Sequence, residues 1–176
     1  MLGLRPGELL GLRWEDIDPD GSLEISGSLK RERGELRLGD TKTDGSKRGL
    51  DLPAAVTSAL RAHRKCQLED RMRVGRAWVD MGLVFATTVG TPIDPSNLRR
   101  ETKKLTALAG VPEMCPNELG RHTAANLLYD SGMPLERIAD LLGHESTRML
   151  AKHYRHRGRQ AFSAHIAPME QIFATD

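Results

Sequence analysis

The stretch Gly3-Leu4-Arg5-Pro6-Gly7-Glu8-Leu9-Leu10-Gly11-Leu12, followed by Arg13-Trp14-Glu15-Asp16-Ile17, is the most informative in the chain. Pro6 stands where a first helical turn tolerates proline, and Glu8 suits the positive end of a helix. Leu9, Leu10 and Leu12 then predict one short helix ending near Trp14. Arg5 therefore opens a helix, and Glu8 supports it from the next turn.

Outward from this stretch the texture changes. Between Gly21 and Pro53 lie three strand-like pieces, Ser22–Ser28, Glu35–Leu38 and Arg48–Leu52, separated by Gly34 and by the tight-turn dipeptide Asp44-Gly45. They predict a small three-stranded antiparallel sheet. Helices are expected from Ala54 to about Arg73, from the Asp94-Pro95-Ser96 cap to Gly110, from about Arg121 to Asp130, and from Pro134 to Leu142. Val56, Ala59, Leu60 and His63 give the first of these a moderate stripe. Leu98, Leu105 and Leu108 are the apolar positions of the second, and Gly132 and Gly143 stop the last two. Leu83–Ala86 reads as extended. Ser146-Thr147 can cap one more helix, carrying Met149, Leu150 and Tyr154. The tail, 161–176, has an apolar series, Phe162, Ile166, Met169, Ile172 and Phe173, too exposed to stand alone. The fold class is α+β, mainly α-helical with a small sheet.

The chain has 176 residues, 39% hydrophobic and 28% charged, enough apolar matter for one domain and unlike a collagen-like, disulfide-framework or disordered chain. No apolar run approaches the roughly 18–20 residues of a membrane span. Cys66 and Cys115 form neither framework nor metal pair, and no secretory signal opens the chain, so a cytoplasmic setting is expected. The net charge of +2 conceals a pattern. Residues 1–20 carry two basic against five acidic side chains, whereas 145–160 carry Arg148, Lys152, Arg155, Arg157 and Arg159 against Glu145 alone. The 61–76 and 99–104 stretches are also basic. Such runs are ordinarily solvated faces, but clustered charge is also what a polyanion partner needs.

The chemistry-bearing groups are few and separated: Arg5; Lys42 in Thr41-Lys42-Thr43-Asp44; Arg121 in Arg121-His122-Thr123; His144 in Leu142-Gly143-His144; and Tyr154 in His153-Tyr154-Arg155-His156. Taken singly, each has a plain reading. The arginines and Lys42 could be solvated, with Lys47 a competitor on the same turn. His144 could be a helix C-terminal cation, and Tyr154 a half-buried tyrosine. His153 and His156 lack the further ligands a metal would need. Residues 121–142 could also form a helix-turn-helix regulator.

Taken in order, these strings resemble the tyrosine recombinases, the integrase family that cuts and rejoins DNA through a phosphotyrosine. The match runs from Arg5 to the C-terminal tail, through a first-arginine box, a β-hairpin lysine, a second-arginine box and a Leu-Gly-His…Tyr box. The resemblance implies the recombinase catalytic-domain fold over 1–160, with the tail 161–176 as a helix contacting a neighbouring protomer. It implies Arg5 and Arg121 as a clamp on the phosphate oxygens and Tyr154 as the nucleophile that becomes linked to the 3′ phosphate. Lys42 becomes the acid for the leaving 5′ oxygen, and His144 a hydrogen-bond donor to the phosphate. Arg148, Lys152 and Arg155 would bind DNA. The partners implied are double-stranded DNA and further copies of the chain, a tetramer on DNA. The covalent link stores the energy for rejoining, so neither cofactor nor metal is implied. Type IB topoisomerases share this chemistry, but the integrase-like strings favour recombination.

The chain departs from the pattern twice. The second-arginine box normally reads His-x-x-Arg, with leucine before the arginine. Counting back from Arg121 puts Glu118 at the histidine place and Gly120 at the leucine place. Keeping Asn117-Glu118-Leu119 in register instead makes Gly120 an inserted residue and puts Asn117 there. The histidine is missing on either alignment. Also, Arg5 lies four residues from the start, where the family carries a further helix and an N-terminal DNA-binding domain. A second reading follows: a truncated, catalytically impaired recombinase fragment acting only as a DNA-binding or protomer-pairing module.

Overall fold

A computed structural model describes residues 2–40, 48–143 and 147. An extended segment enters helix α1 (Pro6–Gly11), and a 3-10 turn follows at Trp14–Asp16. Strands β1 (Ser22–Ile25), β2 (Gly27–Glu32), β3 (Glu35–Asp40) and β4 (Arg48–Asp51) precede the long helix α2 (Ala54–Val74). Helices α3 (Pro95–Leu108), α4 (Thr123–Asp130) and α5 (Leu135–Leu142) complete the described chain, with a π turn, Glu118–His122, leading into α4. Among the described residues no helix is long and apolar enough to cross a membrane.

The expected three-stranded sheet is, among the described residues, two antiparallel pairs, β1 with β4 and β2 with β3. The first expected strand breaks at Ser26, whose hydroxyl donates to Asp16 Oδ1 at 2.9 Å. From there the chain passes from one partner to another: Leu23 faces Leu50 in the first pair, and Leu29 faces Leu38 in the second. The β2–β3 turn is Arg33-Gly34, both at positive φ (50° and 89°), as a two-residue hairpin loop requires. The Asp44-Gly45 turn lies outside the described residues.

Helix α1 rests directly on β2. A Cβ at Gly11 would stand 2.7 Å from the backbone nitrogen of Leu29, so only glycine permits this approach. Leu12, Leu23, Ile25, Leu52 and Val84 form one buried cluster. Helix α2 buries no residue fully; Val56 and Leu60 pack partly buried against this cluster, and polar groups add to the attachment. His63 Nε2 lies 2.7 Å from the Val84 carbonyl, and Gln67 Nε2 donates to the Leu83 and Val84 carbonyls at 3.1 Å. Trp14 Nε1 in turn donates to Gln67 Oε1 at 2.7 Å.

The Asp94 cap is as expected, its carboxylate accepting the Ser96 N–H at 2.8 Å. The buried face of α3 is not the leucine face, however. Thr102 and Thr106 are buried, whereas Leu105 and Leu108 are exposed. The two threonines satisfy their hydroxyls on carbonyls of their own helix, Leu98 at 2.8 Å and Lys103 at 3.0 Å, so they enter the interior without an unpaired polar group. A second apolar cluster joins α4 to α5 through Ala125, Ile138, Ala139 and Leu142.

Candidate active site

Arg5 is the N-cap of α1, its backbone extended at φ −68°, ψ 150°. The carboxylate of Glu8, three residues on, reaches back to it: Oε2 accepts the Arg5 backbone N–H at 2.8 Å and Oε1 accepts Arg5 Nη1 at 2.7 Å. This is the acidic half of a capping box, and it orients the arginine as it closes the helix end. Arg5 Nη2 then donates to the carbonyl of Gly143 at 2.7 Å, just past the end of α5.

A second arginine meets the same carboxylate. Arg48, the first residue of β4, donates through Nη2 to Glu8 Oε2 at 2.9 Å and through Nη1 to Oε1 at 3.3 Å. Its Nε donates to the Leu141 carbonyl at 2.9 Å. The two guanidinium groups thus bracket the C-terminal end of α5, where unpaired carbonyls and the helix dipole favour cations. Gly143 makes this possible. Its φ of +63° ends the helix in the left-handed region, and a Cβ there would lie 2.8 Å from Arg48 Nη1.

Arg121, in the π turn before α4, is buried, and its Nη1 donates to the Gly3 carbonyl at 3.0 Å. Burial, with the like charges of Arg5 and Arg48 beside it and only partly offset by Glu8, lowers its pKa to about 10. It stays charged at neutral pH. Burial also pushes the Glu8 carboxyl upward, but hydrogen bonds from Arg48 and Arg5 outweigh this and hold it below the usual carboxylate range. Two guanidinium groups therefore hold one carboxylate, and a third, that of Arg121, lies within electrostatic reach of them, an arrangement with positive charge in excess. The Arg5 side chain is 40% exposed, against 3% for Glu8, so the cationic cluster opens to solvent at Arg5. The chemistry it fits is a singly or doubly charged oxyanion held by a fork of N–H donors.

The structure brings Arg5 and Arg121 to one locality, the extended segment from Gly3 to Arg5. Asn117 and Glu118 begin the helical segment that carries Arg121. Asn117 Nδ2 lies 2.7 Å from His122 Nε2, and the Glu118 carboxylate accepts the Cys115 backbone N–H at 2.7 Å. That hydrogen bond also lowers the Glu118 pKa. Lys42, His144, Tyr154, Arg148, Lys152 and Arg155 lie outside the described residues, as do the helix after Ser146 and the tail 161–176. Sequence reasoning took Glu8 as support for Arg5 but missed Arg48. The available signal was alternation: Arg48, Leu50 and Leu52 share one face of a strand, so Arg48 points where the leucines point.

Residues 1–160 match the model of the phage integrase family. A tyrosine recombinase XerC-like protein of Caldanaerobacter subterraneus subsp. tengcongensis is 36% identical over 167 residues, covering 88% of this chain and 42% of that protein. An integrase of Streptomyces ambofaciens is 35% identical, covering 98% of this chain and 46% of its own length. The chain thus spans less than half the length of these curated relatives. Its fold is that of the Tn1549 transposon integrase solved in complex with transposon right end DNA, with a TM-score of 0.78 at 22% identity over 98% of this chain and 56% of the other. The XerH recombinase bound to palindromic difH substrate shares it too, with a TM-score of 0.65 at 23% identity, covering 93% of this chain and 41% of that one.

Proposed function

We propose that this chain, which belongs to the phage integrase family, carries the catalytic machinery of a site-specific recombinase that cuts and rejoins duplex DNA. The observation that carries the reading is the cluster itself: Arg5 and Arg48 share one buried carboxylate, and Arg121, from a box far from Arg5 in sequence, is held beside them on the Gly3 carbonyl. A phosphodiester is the oxyanion such a cluster suits. It repels nucleophiles through its own charge, and arginines that spread this charge lower the barrier most when charge builds up in the transition state.

In this reading Arg5 and Arg121 hold the non-bridging oxygens. The Tyr154 hydroxyl gives up its proton to solvent and its oxygen attacks phosphorus. The bond to the 5′ oxygen breaks, and that oxygen takes a proton from Lys42. His144 donates a hydrogen bond to the phosphate. One phosphodiester is exchanged for another, so the reverse attack by a 5′ hydroxyl rejoins a strand without further energy input. An unperturbed tyrosine has a pKa of about 10, and a cationic pocket favours its phenolate. Arg148, Lys152 and Arg155 contact DNA, and a tetramer of chains assembles on two duplexes in the cytoplasm.

A nicked suicide duplex carrying the cognate site tests this. The chain should form a covalent adduct that resists denaturant, and Tyr154→Phe should form none. Equal adduct from both proteins would remove Tyr154 as the nucleophile.

A further inference from the structure

The π turn at Glu118–His122 holds a residue that the helix does not need. Pro116 and Asn117 are already helical, and Thr123–Asp130 continues as a regular α-helix. Between them the Thr123 N–H reaches back five residues to the Glu118 carbonyl, and the Thr123 hydroxyl donates to the same oxygen at 2.9 Å. A single π turn is how a helix takes up one extra residue while both flanks keep their places. The residue at its centre is Gly120. Its φ is not positive, and nothing lies within 4 Å of where a Cβ would be, so neither conformation nor packing calls for glycine there. By contrast, the residues around it are engaged. Arg121 is buried on the Gly3 carbonyl, and Asn117 meets His122 across the widened turn.

Two residues compete for the place beside Arg121, and they are differently occupied. Glu118 is exposed, and its carboxylate serves as the cap on the Cys115 N–H. Turned to the helix start, it is not a charge aimed at a bound anion. Asn117 lies four residues before Arg121 in a turn that closes at five, which puts the two on one face. Without Gly120 they would be three apart in an ordinary α-helix, again on one face.

We propose that Gly120 is a surplus residue absorbed by the π turn, and that Asn117, set by His122, is the positioning residue beside Arg121 at the phosphate. This rests on the strand-cleavage reading above. An amide there gives the phosphate a neighbour that neither repels it nor titrates.

The test uses the full 176-residue chain. Deleting Gly120 should leave the melting temperature equal to or above that of the parent, with amide exchange over 117–123 typical of continuous α-helix. A fall of about 8 °C or more would overturn the surplus-residue assignment, whether or not the protein cuts DNA. Asn117→His should raise covalent adduct on a nicked suicide duplex by on the order of tenfold and add a titration limb near pH 6.5, the ordinary histidine range, that the parent lacks. Glu118→His should do neither. An equal gain from Glu118→His, or no new limb with Asn117→His while the parent forms adduct, would overturn the role of Asn117. If no variant forms adduct, the cleavage reading falls, and the Gly120 deletion still decides the register.

Discussion

Arg5 Nη2 lies 2.7 Å from the carbonyl of Gly143, a hydrogen bond between residues 138 positions apart. It ties the start of α1 to the end of α5. Glu8 also holds Arg48, so α1 and β4 meet at one carboxylate and both reach the end of α5 through their arginines.

Gly143 is the residue this junction tolerates least in any other form. Gly143→Ala must place a Cβ at φ +63° and 2.8 Å from Arg48 Nη1. The conformational part alone costs about 1–2 kcal/mol. Denaturant unfolding should show a lower midpoint with unchanged slope, and Gly143→Asn, which visits this conformation more readily, a smaller loss.

The Glu8 carboxyl predicts a pH dependence. Its pKa in the folded chain is held below the ordinary value of 4.5, because hydrogen bonds from Arg48 and Arg5 outweigh the upward push of burial. Below 4.5 the unfolded chain therefore binds more protons than the folded one, so stability rises with pH there. The contribution is full above the unfolded value and is lost as pH falls through the folded value. Urea midpoints measured from pH 3 to 7 should fall on the acid side, and the fall should be shallower in Glu8→Gln. At pH 7 the same variant should be less stable by about 3–5 kcal/mol, since it leaves Arg48 buried without its charge partner.

An oxyanion should bind the arginine cluster before any DNA chemistry is considered. Sulfate at ten times its dissociation constant should stabilise the fold by about 1.4 kcal/mol through mass action. Chloride at matched ionic strength should not. Arg5→Ala, which removes the exposed member of the cluster, should abolish the difference in thermal midpoints. Equal sulfate stabilisation in that variant would place the anion elsewhere.

Much of the local structure was legible because it depends on neighbours in sequence. The Asp94 cap, the stops at Gly132 and Gly143, and the pairing of Arg5 with Glu8 all act within one helical turn. The failures were of another kind. Leu105 and Leu108 looked like the inner face of α3, but Thr102 and Thr106 lie inward because threonine can satisfy its hydroxyl on its own helix. The strand expected over 22–28 divided at Ser26 because Asp16, ten residues away, holds its hydroxyl.

From the sequence alone came the helices, the order of the boxes, and the family those boxes resemble, since each rests on residue type and short spacing. Only the tertiary structure decided that Arg48 belongs with Arg5 and Arg121, that Glu8 serves two arginines, and that Glu118 is spent on a helix cap. These depend on which segments lie against one another. A buried arginine has the same letter as a solvated one; what separates them is whether a carboxylate and a helix-end carbonyl arrive within hydrogen-bonding distance, as they do at Arg48.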